Sequence, residues 1–114
     1  MHIQFYCDLN VSECWRGKEE KIKRKIRRNR MMPNVYIVAL SQGDQNHLEF
    51  FSGILLKQHV FDSSEIFAVG IADGYDEALY MVEAIAGKVY EETGETDIRR
   101  YILARQKEFE ETGR

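Results

Sequence analysis

Six polar residues stand where apolar runs give way to the next segment: Asp8 and Asn10, Ser41 and Asp44, Asp73 and Asp76. They belong to three clusters, Asp8-Leu-Asn10-Val-Ser12, Ser41-Gln-Gly43-Asp44-Gln-Asn46 and Asp73-Gly74-Tyr75-Asp76. On one shared rim, the carboxylates would offer oxygen ligands to a hard cation such as Mg²⁺. Helix N-termini at that rim would instead offer N–H groups to a phosphate. The two chemistries exclude each other, because four acids repel an anion unless a metal bridges them. The same residue types also cap helices. Asn10 with Glu13, Asn46 with Glu49 and Asp73 with Asp76 have the three-residue spacing of a capping pair.

A second set is cationic. Residues 16–30 hold nine of the 16 Lys and Arg residues and two acids, whereas the other 99 residues hold seven bases and 17 acids. Lys18, Lys21, Arg24, Lys25, Arg27 and Arg28 can form one positive helical face, suited to an acidic protein surface or to nucleic-acid phosphates. Trp15 and Tyr36 could add stacking. Long basic stems also cover apolar surface while their charges stay in water. Glu83, Glu91, Glu92, Glu108, Glu110 and Glu111 offer a counter-charge within the chain. The net charge of −3 argues against a domain dedicated to nucleic acid, which is usually basic throughout.

Other chemistry finds little support. Cys7 and Cys14 lack the spacing of a phosphatase loop, since Glu13 and Glu20 occupy the two arginine positions. Cys7 falls on the apolar side of a strand, and Cys14 opens a helical stretch, where a thiolate is favoured. His2, His47 and His59 have no ligand spacing to one another or to the cysteines, so no zinc site is expected. Gly70-x-x-x-Gly74 is not followed by the Gly-Lys-Ser/Thr of a phosphate loop. Asp8-x-Asn10 after an apolar strand resembles the opening of PIN-type nucleases and the first motif of haloacid-dehalogenase-like phosphatases. Asn10 stands where the phosphatases need a second Asp, and the remaining chain lacks the spaced acids or lysine of both families. Neither activity is carried over. No nucleophile–base pair emerges, so the expectation is a non-enzymatic protein without a cofactor.

These residues must be positioned by a regular alternation of elements. His2–Leu9 alternates Ile3, Phe5, Cys7 and Leu9 against His2, Gln4, Tyr6 and Asp8, the period of a strand. Across residues 10–30, Val11, Trp15, Ile22 and Ile26 share one helical stripe, which predicts a basic amphipathic helix ended before Pro33. Val35–Leu40 is a continuous β-branched run, suited to a strand buried on both faces. Leu48, Phe51 and Leu55, with Phe50 and Ile54, predict a helix over 46–61. Residues 66–72 read as a third strand, 75–92 as a helix stopped at Gly94, and 97–111 as a last helix.

The order β-α-β-α-β-α-α predicts a three-layer α/β domain with a small, mainly parallel sheet of about three strands. One domain over residues 1–114 fits the length, and twelve aromatic residues with 44% hydrophobic content can fill a core. Two cysteines make no disulfide framework, no leader is visible, and no run approaches a membrane span, so a cytoplasmic protein is expected. A small sheet leaves two edges to protect, which two subunits can do together, so a homodimer is expected. The functional expectation is a binding or assembly protein that docks through the basic helix. The alternative is a small-ligand or divalent-metal site at the carboxyl ends of the strands.

Overall fold

The computed structural model describes residues 2–28, 34–40, 48–57 and 65–113. It contains strands β1 (His2–Val11), β2 (Val35–Leu40), β3 (Leu48–Ser52) and β4 (Glu65–Asp73). The helices are α1 (Glu19–Arg27), α2 (Ile54–Lys57), α3 (Tyr75–Thr93) and α4 (Ile98–Thr112), and a short 3₁₀ turn spans Glu13–Trp15. The strands form one sheet in the order β1-β4-β2-β3.

The mixed α/β class agrees with the sequence, but among the described residues the sheet has four strands and mixed directions. β1 runs parallel to β4, whereas β2 runs antiparallel to both β4 and β3. The extra strand lies inside the region expected to be helical. Leu48 and Phe50 pack with the core on one face of the sheet, and Phe51 packs on the other. Neighbouring aromatics can satisfy a helical stripe or a strand that is half-buried on both faces. The ladder from Tyr36↔Ser52 to Leu40↔Leu48 decides for the strand.

Both faces of the sheet are covered. Val35, Ile37 and Ala39 of β2 join Ile66, Ala68 and Ile71 of β4 beneath Ile22 and Ile26 of α1. The opposite residues, Val38, Leu40, Val69 and Ala72, pack beneath Ala78 and Ile85 of α3 and Ile102 of α4. Gly70 allows α3 to approach β4 closely, since a Cβ at that position would lie 2.4 Å from the sulfur of Met81.

Two local departures shape the site. The basic helix is shorter than its stripe implied. Val11 still belongs to β1, Trp15 sits in the 3₁₀ turn, and Gly17 adopts φ +86°, a left-handed turn that separates this segment from α1. In addition, the β1–β4 register moves from Phe5↔Ala68 to Asn10↔Gly70, five residues along β1 against two along β4. The resulting bulge brings Tyr6 and Cys7 together on the α3/α4 face, instead of alternating across the sheet. The Cys7 N–H donates to Gln106 Oε1 of α4 at 2.7 Å. Gln106 follows Ile102 by one helical turn and is buried with it.

Candidate functional site

Helix α1 exposes part of the expected cationic set. Ile22 and Ile26 anchor α1 to the sheet, so the helical period turns Lys21, Arg24 and Arg28 toward solvent. Lys18 and Arg27 are also exposed, and Lys25 is half-buried. The Arg27 guanidinium lies 4.9 Å from the Phe5 ring centre and the Lys23 ammonium 5.5 Å from it. These two bases therefore cover an aromatic ring of the sheet. Among the described residues, α1 makes one ion pair, Lys23 Nζ to Glu20 at 3.2 Å.

The expected counter-charge within the chain lies elsewhere. Glu83, Glu91 and Glu92 sit on α3 and Glu108, Glu110 and Glu111 on α4, with the sheet between them and α1. The two aromatic candidates are also separated. Trp15 packs against the α1-side core, while Tyr36 faces α3, where it meets Tyr75 edge-on and lies tilted against Phe50.

The end of β2 does not join the ends of β1 and β4 in one rim. Because β2 is antiparallel, Val35 pairs with Asp73, and Leu40 ends β2 at the far end. Ser41 and Asp44, which follow Leu40, lie outside the described residues. Asp8 accepts a 2.8 Å hydrogen bond from Arg105 Nε of α4. Asn10 donates through Nδ2 to the Val69 carbonyl at 3.0 Å. The Asp73 carboxylate accepts from the Cys14 thiol at 3.4 Å, and its backbone N–H donates to the buried Ser12 hydroxyl at 2.8 Å. Neither Asn10 nor Asp73 caps a helix. The N-cap of α3 is Gly74, and the side-chain cap of α4 is Asp97, which accepts from the Arg100 N–H.

Two hollows collect what remains of the rim. The larger, about 540 Å³, opens where β1 and β4 end and α3 begins. Asn10, Glu13, Arg16, Asp76 and Tyr80 line it. The smaller, about 170 Å³, lies between the β1 bulge, α3 and α4. Asp8 and Asn10 line it with Tyr6, Lys88 and Tyr101. Asn10, Met81 and Ala84 border both spaces.

No protein-family model, curated protein or solved structure matches this chain.

Among the described residues, no three of His, Cys, Asp and Glu gather closely enough to hold a metal ion. Cys14 lies exposed beside Asp73. Desolvation and the hydrogen bond to Asp73 raise its pKa, with Glu77 adding to the effect. Burial, followed by the neighbouring Asp8 charge, pushes the Tyr6 phenol well above its ordinary range, so it remains protonated. Sequence reasoning missed Tyr6, Lys88, Tyr101, Arg105 and Gln106 as parts of this region. One signal was present: Gln106 lies four residues after Ile102, on the inner stripe of α4. Nothing local marks Arg105 as the partner of Asp8, 97 residues away. Among the described residues, no helix is long and apolar enough to cross a membrane.

Proposed function

We propose that this protein is a non-enzymatic docking module that uses α1 to bind an acidic protein surface. The supporting observation is the sheet itself, which separates the charges. Residues 16–28 carry eight bases and two acids, whereas residues 75–113 carry ten acids and five bases. The α1 face therefore projects a positive field with one local carboxylate partner among the described residues. The exposed residues of α1 are Lys, Arg and Glu. The acids in the other layer would repel a polyphosphate that extends past α1.

A titration of labelled polyglutamate, compared with mixed-sequence RNA and DNA, tests this reading. Polyglutamate binds, and its affinity falls as salt screens the exposed charges. Lys21→Glu, Arg24→Glu and Arg28→Glu combined weaken binding by about tenfold or more, because exposed pairs contribute roughly 0.2–1 kcal/mol each. Equal or tighter binding of nucleic acid overturns the acidic-protein reading. Absence of binding to every probe removes the docking role of α1.

A second reading is supported by the 540 Å³ recess, which lies beyond the carboxyl ends of the parallel pair β1 and β4. Ligands of α/β sheets commonly bind at that position. On this reading the recess binds a small molecule, with Asn10 and Asp76 in its wall. A thermal-shift series with nucleotides, Mg²⁺ and small organic acids should show at least one saturable stabilisation. A flat series removes this reading.

A further inference from the structure

We propose that the chamber between β1, α3 and α4 binds a small monocarboxylate with an apolar body, the carboxylate meeting the Tyr6 hydroxyl and the Lys88 ammonium. This deepens the small-ligand reading by moving the ligand from the open recess to the adjoining inner space and naming its chemical class.

Tyr6 is the first observation. It is 6% exposed and lines the chamber, yet its hydroxyl has no hydrogen-bond partner among the described residues. Buried tyrosine hydroxyls usually find a partner, because leaving one unpaired is unfavourable. A ligand oxygen in the chamber would accept a hydrogen bond from it.

Charge is the second observation. Asp8 is engaged by Arg105, and the Tyr101 hydroxyl donates to Glu92. Lys88 remains, an exposed cation on the chamber wall with no carboxylate partner among the described residues. A ligand with an anionic head answers both Lys88 and the Tyr6 donor. Size and lining define the rest. Met81, Ile85, Val89 and Ile102 form an apolar wall around about 170 Å³. A cavity of about 150 Å³ accepts benzene, so this chamber suits roughly six to eight non-hydrogen atoms.

A ¹H–¹⁵N titration of the full chain with isovalerate, compared with uncharged isovaleramide, tests the proposal. Isovalerate produces saturable shifts in β1, α3 and α4, and isovaleramide binds more weakly. Tyr6→Phe and Lys88→Gln each weaken isovalerate by about tenfold or more, the scale of one hydrogen bond to a charged group. Lys88 is exposed, so Lys88→Gln keeps the test decisive even if Tyr6→Phe disturbs folding. No saturable shift with isovalerate overturns the proposal. Binding that survives both substitutions but is lost in the Glu13→Ala, Asp76→Ala double variant places the ligand in the outer recess. That result overturns the inner site and leaves the broader reading standing. So does stabilisation by a nucleotide without any response to isovalerate.

Discussion

Ile26→Ala lowers the free energy of unfolding by about 2–5 kcal/mol, the range for truncating a buried aliphatic side chain. Ile26 is 0% exposed and, with Ile22, holds α1 against the sheet. The helix has nine residues, whereas isolated helices shorter than about 12–15 residues are marginal in water. Its N-cap, Lys18, makes no side-chain capping bond. Lys21/Lys25 and Arg24/Arg28 place like charges one turn apart, each pair unfavourable by about 0.2–0.5 kcal/mol. Burial of the two isoleucines must therefore hold the basic face in place. Urea denaturation measures the stability loss, and polyglutamate titration shows whether docking weakens with it. A loss below about 1 kcal/mol, well under the usual range for such a truncation, would mean that α1 is anchored elsewhere.

Gln106→Met destabilises by about 1–3 kcal/mol, although it keeps nearly the same volume, because a buried donor loses its acceptor. The donor is the Cys7 N–H, displaced from the sheet ladder by the β1 bulge and met by Gln106 Oε1 at 2.7 Å. The Gln106 amide also donates to Glu110 at 3.3 Å, where Gln4 donates as well, so one side chain links the bulge to the last turns of α4. Urea denaturation gives the magnitude, and amide hydrogen exchange at Cys7 shows the cause. Unchanged stability with unchanged exchange would remove Gln106 as the support of the bulge.

The candidate site was only partly legible beforehand. The basic face could be read because Lys21, Arg24, Lys25 and Arg28 recur at the period of the helix that carries them. The rim reading rested on all strands pointing the same way, and β2 does not. Reversing β2 moves its carboxyl end away from Asp73, leaving Asn10 and Asp76 beside one recess and Asp8 in the adjoining chamber. Tyr6 looked like the outward member of an alternating strand. The bulge, which depends on register with a strand some sixty residues later, buried it.

Local pattern was enough for β2, whose unbroken apolar run matches burial on both faces, and for α3 and α4, whose long inner stripes and end at Gly94 are properties of contiguous residues. It was also enough for the cationic character of α1. Strand direction, the extra strand β3, the bulge and the meeting of Asp8 with Arg105 required the folded chain. Side-chain periodicity records which faces are apolar, but not which distant backbone will supply the missing hydrogen bonds.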